Sequence, residues 1–244
     1  MSGSASDGRD GRTRDTSVLM QTGLPERIEL VKQRVLRATE QSGRSPDSVR
    51  IIAASKRRTP LEIQAALRLG IASFGENYVP ELIEKAQAVP EAEFHFIGHL
   101  QRNKAKKLLA AGIRWVHTVD TIRLATTIQR QAPSSPIHTM LQVNIGGEAS
   151  KSGVVPEDAF PLADAIIRDC PDVNLCGLMT LPPKDNDPTR WFTRLASLRD
   201  ELQQRLGVPF TELSMGMSGD LEEAIACGST MVRVGTAIFG PRPE

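Results

Sequence analysis

Residues 49–75, VRIIAASKRRTPLEIQAALRLGIASFG, contain one complete strand–helix–strand unit. Val49 to Ser55 is a short apolar run, the composition of a strand buried on both faces. Thr59-Pro60-Leu61-Glu62 has the form of a capping box with proline at the first helical position. The helix it starts runs to Leu69, and Gly70 ends it before the next strand, Ala72 to Gly75. Lys56 stands at the junction. It belongs either to a solvated basic turn, Lys56-Arg57-Arg58, or to a pocket at the strand's C-terminal end, where its amine would be placed to form a Schiff base.

The same alternation extends in both directions. A helical pattern from Pro25 to Gly43 precedes the first strand. Helix Tyr78 to Ala88, with Asn77 as its cap, follows the second, and strand Glu93 to Ile97 leads to helix Asn103 to Ala111. Strand Trp115 to Thr118 precedes a helix capped by Asp120, and strand Thr139 to Ile145 precedes helix Pro156 to Arg168. Strand Leu175 to Met179 leads to a helix from Pro188 to Leu206, capped by Asp187. Strand Thr211 to Ser214 leads to helix Gly219 to Cys227, and strand Thr230 to Val234 closes the series with a short final segment. Eight strands alternating with helices predict an α/β protein: a single (β/α)8 TIM barrel with an extra N-terminal helix. An open doubly wound sheet fits less well, because no G-x-G-x-x-G follows the first strand.

Composition narrows the function classes. The chain has 244 residues, 40% of them hydrophobic, and a formal charge of +1, so no global field draws in nucleic acid or an anionic membrane. Only 4% of residues are aromatic, which also argues against single-stranded nucleic-acid binding. Cys170, Cys176 and Cys227 show no C-x-x-C spacing and read as reduced packing residues, the usage of a cytoplasmic protein. Residues 1–22, rich in Ser, Gly, Asp and Arg, predict a disordered tail without a secretory h-region, leaving 23–244 as the barrel. No apolar run is long enough to span a bilayer.

In such a barrel the active face is built from the strands' C-terminal ends. Lys56, Asn77, His99, Asn144, Met179, the Ser214-Met215-Gly216-Met217-Ser218 loop, Arg233 and Gly235-Thr236 all fall there. The loops after the last two strands suit an anion: Gly216 allows close approach, and Gly235-Thr236 offers amides and a hydroxyl. Read singly, Ser218 is equally a helix cap, Gly235 a turn and Asn77 a cap. Arg233 either points inward, where a buried guanidinium needs an acceptor, or faces the helices and pairs with Glu222 or Glu223. Amine, anion cradle and arginine together suit a phosphorylated aldehyde held as an imine, the chemistry of pyridoxal 5'-phosphate (PLP). No metal site is expected: His95 and His99, four residues apart in extended chain, would lie about 13 Å apart. The basic helix residues Arg102, Lys104, Lys106 and Lys107 read as a solvated face. Lys151 reads as an exposed loop lysine, with a secondary contact to cofactor as the alternative.

Several blocks, in order, carry a family resemblance. They are Ala54-Ser55-Lys56 before Thr59-Pro60, Phe74-Gly75-Glu76-Asn77-Tyr78-Val79, and His95-Phe96-Ile97-Gly98-His99-Leu100-Gln101-Arg102-Asn103-Lys104. After them come Val143-Asn144-Ile145 with Ser150-Lys151-Ser152-Gly153, Gly177-Leu178-Met179, Leu213-Ser214-Met215-Gly216-Met217-Ser218, and Val232 to Gly240. From Lys56 to Pro241 the chain resembles the pyridoxal phosphate homeostasis proteins, single-barrel relatives of the alanine racemase N-terminal domain. The resemblance implies that Lys56 carries PLP as an aldimine. It implies that Ser214, Met217, Ser218, Gly235 and Thr236 hold the phosphate, that Arg233 faces the pyridine nitrogen, and that Asn77 lines the pocket.

The function implied is non-catalytic: intracellular PLP homeostasis, by sequestration and delivery to PLP-dependent apoenzymes, from a monomer. The alternative is a fold-type III PLP-dependent racemase or related enzyme. Two-base racemisation needs a second group on the opposite substrate face. In alanine racemase a further domain and the dimer partner supply a tyrosine, whereas here only Gly-Pro-Arg-Pro-Glu follows Phe239, and Tyr78, the single tyrosine, begins a helix. A cofactor-free Schiff-base aldolase acting on a sugar phosphate is the third reading.

Overall fold

Thr59 forms the expected capping box: its hydroxyl accepts from the Glu62 amide at 3.3 Å, and the Glu62 carboxylate accepts from the Thr59 amide at 2.7 Å. Helix α2 (Pro60–Arg68) therefore starts where the local sequence dictates, directly after strand β1 (Arg50–Ala54). The structure, a computed structural model, describes residues 23–131, 136–184 and 187–241, and the expected tail at 1–22 lies outside the described residues. The remaining units are β2 (Ser73–Glu76) and α3 (Val79–Ala88), β3 (Glu93–Phe96) and α4 (Arg102–Ala110), and β4 (Trp115–Val119) and α5 (Ile122–Gln131). They continue with β5 (Ile137–Gln142) and α6 (Pro156–Asp169), β6 (Val173–Met179) and α7 (Thr189–Leu206), β7 (Glu212–Ser214) and α8 (Leu221–Ala226), then β8 (Met231–Val234) and α9 (Thr236–Phe239).

The eight strands pair in chain order and close, β8 lying parallel to β1 with Ile52 opposite Arg233. Each crossover carries a helix, which is what parallel neighbours require. Most of the core lies between strands and helices, around side chains such as Phe74, Leu82, Leu108, Ile128 and Phe192. Inside the barrel the apolar filling is a small cluster of Ile52, Met140, Met179 and Met231 against Trp115. The rest of the interior is polar, including buried His95, His117, Ser214 and Arg233.

Helix α1 (Leu24–Gln41) precedes the barrel and buries Leu24, Ile28, Val31, Val35 and Ala38, a stripe at helical spacing. It packs on α8 and α9. Arg34 holds Glu222 of α8 with two bonds of 2.6 and 2.7 Å, and Arg27 donates to the Ile238 carbonyl at 2.8 Å.

Three expectations are corrected. Asn77 is not the cap of α3: that position is Tyr78, which makes no side-chain cap bond. Asn77's backbone instead presses on Gly98, where a Cβ would lie 2.3 Å from the Asn77 carbonyl oxygen. Helix α8 begins at Leu221 after Asp220, not at Gly219 after Ser218, because the Asp220 carboxylate accepts from the Met217 amide at 2.5 Å and holds Met217 to Gly219 as a turn. Strand β5 ends at Gln142 rather than Ile145, since the following loop folds back: Val154 donates to Gln142 and accepts from Asn144, leaving only a bridge between Val143 and Val154.

Candidate functional site

Lys56 follows β1 in a tight turn whose next residue, Arg57, has φ of 61°, a left-handed conformation that costs a non-glycine residue about 1–2 kcal/mol. Neighbouring groups hold this turn. The Ser55 carbonyl accepts from the Arg58 amide at 2.9 Å and from the Lys85 ammonium at 2.6 Å, and the Arg57 amide donates to Glu81. Lys85 on α3 is buried and paired with Glu76 at 2.6 Å and Glu81 at 2.5 Å. Burial pushes the Glu76 carboxyl up, while hydrogen bonds from Lys85 and Ser55 pull it back. Lys56 itself is half-buried at the barrel's C-terminal mouth.

On the other side of the mouth, the β7 and β8 loops meet. Gly216 has φ of 89°, and a Cβ there would stand 2.5 Å from the Ala224 methyl, so α8 can approach only a glycine. Arg34 of α1 donates to the Ser218 carbonyl at 3.1 Å. In a trans peptide this turns the Gly219 N–H the opposite way, away from that guanidinium.

Lys56, Met217, Ser218, Arg233, Gly235 and Thr236 line one cleft of about 270 Å³. Two of the expected site residues are not among its walls. Asn77 lines a neighbouring groove with Tyr78, His99 and Lys104. Ser214 is fully buried beneath the cleft; its hydroxyl accepts from Arg233 Nη1 at 2.6 Å and lies 2.9 Å from His117 Nδ1. Arg233 points into the barrel rather than towards Glu222 or Glu223, and its Nη2 donates to the Thr180 carbonyl at 2.8 Å. Burial lowers this guanidinium to about 10, partly opposed by Asp220, so it remains charged at neutral pH.

Arg58, read from sequence only as part of a solvated turn, also lines the cleft. It donates to the Gly240 and Pro241 carbonyls at 2.8 and 2.6 Å and sits 5.7 Å over the Phe239 ring. Glu62 at i+4, which pairs with it at 3.2 Å, is the sequence signal that would have singled it out. The Lys151 ammonium is paired with Glu148 at 2.5 Å and donates to the Pro182 carbonyl at 2.8 Å. His95 lies inside the barrel bonded to His117, and His99 is exposed at the mouth.

A half-buried lysine, a buried arginine and the loops after β7 and β8 thus meet at adjacent strand ends of a (β/α)8 barrel, in a cleft whose charged lining groups are cations. The sequence pattern of the alanine racemase N-terminal domain matches residues 37–243. The pyridoxal phosphate homeostasis protein of Vibrio alginolyticus is 41% identical over 232 residues, 91% of this chain and 98% of that protein. The mouse pyridoxal phosphate homeostasis protein is 37% identical over 248 residues, covering 94% of this chain and 90% of its own length. Among solved structures, PipY of Synechococcus elongatus with PLP bound superposes with a TM-score of 0.77 at 31% identity, over 89% of this chain and all of that one. The chain belongs to the pyridoxal phosphate homeostasis protein family, within the alanine racemase N-terminal domain class.

Proposed function

We propose that this protein binds pyridoxal 5'-phosphate in the Lys56 cleft and serves intracellular PLP homeostasis, sequestering the cofactor and delivering it to apoenzymes. The observation that carries the reading is the convergence of Lys56, the Met217–Gly219 turn, Gly235-Thr236 and Arg233 on one cleft. The lining suits the cofactor chemically. Its charged groups are the cations Lys56, Arg58 and Arg233, which suit a phosphate dianion. When bound, PLP supplies an aldehyde that condenses with an amine and a phosphate that accepts hydrogen bonds.

In this reading Lys56 is the anchoring amine, and Met217, Ser218, Gly235 and Thr236 hold the phosphate with Gly219 beside them. Ser214 supports Arg233 from below, and Asn77 belongs to the rim. Of the five N–H donors of Arg233, one goes to Ser214 and one to Thr180. A pyridine nitrogen facing this guanidinium meets a donor and stays unprotonated, which weakens the ring as an electron sink. That favours holding the cofactor over turnover. The names of the relatives point the same way. Tyr78, 53% exposed in the neighbouring groove, is not placed to act as a second base in the cleft. No described helix is long and apolar enough to cross a membrane, and a cytoplasmic monomer is the form we propose.

The test is titration of the purified protein with PLP, followed by absorbance, together with racemase assays on several amino acids. Saturable binding in the parent, lost in Lys56→Ala, and no enzyme-like turnover are expected. Turnover at enzyme-like rates would move the protein to the racemase reading.

A further inference from the structure

The barrel interior contains a continuous polar line that the cleft does not use directly. At the N-terminal end, Glu93 of β3 accepts from Ser73 at 2.8 Å and from the Trp115 indole at 3.1 Å, with Arg50 at 3.5 Å. Its Oε2 lies 3.0 Å from His95 Nε2. His95 Nδ1 lies 2.8 Å from His117 Nε2, His117 Nδ1 lies 2.9 Å from the Ser214 hydroxyl, and Ser214 receives Arg233 Nη1 at 2.6 Å. Both imidazoles are completely buried, and Trp115 stacks on His95 with centroids 4.9 Å apart.

The donor inventory allows one proton arrangement with neutral rings and every link made. A carboxylate only accepts, so His95 carries its proton on Nε2. Its Nδ1 is then an acceptor, and His117 must donate from Nε2. His117 Nδ1 accepts in turn, so the Ser214 hydroxyl donates to it, leaving the Ser214 oxygen to accept from Arg233. Each donor has one acceptor, and all point from the cation at the cleft towards the anion at the far mouth. Burial lowers both imidazoles, His117 well below the usual value, which keeps the rings neutral. The charged or titratable groups facing them are Glu93 and Arg50 at one end, Arg233 at the other, and Glu212 of β7.

We propose that His95, His117 and Ser214 form a one-directional hydrogen-bond relay that positions the Arg233 guanidinium under the cleft and couples it to Glu93 at the opposite mouth. These are positioning residues, acting through Arg233. The role in cofactor holding rests on the PLP reading above; the proton arrangement does not. With Ser214 fixed as acceptor, Arg233 is held by two bonds at its terminal nitrogens. Loss of the Ser214 oxygen leaves a buried N–H of a charged group without its partner.

Two measurements test this. Long-range ¹H–¹⁵N correlation of the protein without PLP reads the tautomers of His95 and His117, with His95→Asn and His117→Gln assigning the signals. Both rings are expected neutral and protonated on Nε2 at pH 7. An imidazolium at either position, or an Nδ1–H ring at His117, would overturn the relay. In the PLP-loaded protein, Ser214→Ala and His117→Phe are expected to shift the absorbance and fluorescence of the bound cofactor and to speed its release about tenfold, equivalent to about 1.4 kcal/mol. His117→Gln, which keeps an acceptor and a donor, should restore much of the parental spectrum. Parental spectra and release rates in both disruptive variants would refute the positioning role even with the tautomers as expected. If the parent takes up no PLP, the cofactor reading fails while the tautomer result still decides the relay.

Discussion

Glu93 and the two interior histidines make stability acid-sensitive in a way that separates by residue. Glu93 is held down at about 2, chiefly by the hydrogen bond from His95, with Ser73 and Arg50 adding to it. A carboxylate depressed in the folded state contributes stability above its unfolded value of 4.5 and loses it as pH falls towards 2. His95 and His117 are depressed below 6.5 when folded, so the unfolded chain takes up their protons first. Stability attributable to them is therefore present above pH 6.5 and declines below it. Melting temperatures from pH 7.5 to 5 should fall less steeply in His117→Phe than in the parent. Equal slopes would show that His117 does not titrate on unfolding. At the same scale Arg233→Leu removes the cleft's buried cation and is expected to weaken PLP binding by tenfold or more in an absorbance titration, since hydrogen bonds to charged groups contribute about 1.5–3 kcal/mol.

Elements differ in how far their own residues determine them. The β1–α2 unit was legible because its signals are local: an apolar run, a capping box, a stop glycine. The end of β5 was not, because Val143 to Ile145 is apolar enough for a strand and is taken out of the ladder by Val154, a contact across a loop. The start of α8 was misread because Ser218 is a capping type by sequence, whereas the helix starts after Asp220, whose carboxylate takes the Met217 amide and makes no side-chain cap bond. The cleft was largely legible, because Lys56, Arg233 and the two loops fall at strand ends once the alternation is recognised. The relay was not: His117 and Ser214 come from β4 and β7, and neither sequence neighbourhood carries a trace of the other. Two substitutions probe single elements. Thr59→Ala should cost about 1 kcal/mol in urea unfolding through loss of the α2 cap. Gly98→Ala should cost about 1–3 kcal/mol, since its methyl would meet the Asn77 backbone and force the β2–α3 connection outward.

At the scale of the molecule, α1 ties the first and last described helices to the site. Its buried stripe packs on α8 and α9, Arg34 reaches the Ser218 carbonyl, and Arg27 reaches Ile238. Arg58 closes the other side by holding Gly240 and Pro241. The barrel face that holds the cleft is thus braced by the first and last described elements. Ile28→Ala in α1 should lower global stability by about 2–5 kcal/mol, and the accompanying loosening of the Ser218 turn should appear as faster PLP release.

Whether Lys56 is the residue through which PLP is held is decided by incubating the protein with PLP, reducing with borohydride and mapping the pyridoxyl group by peptide mass. One dominant label on the peptide containing Lys56, and its loss in Lys56→Ala, is the expected result. A full label at another lysine, Lys151 included, in the Lys56→Ala protein would contradict it.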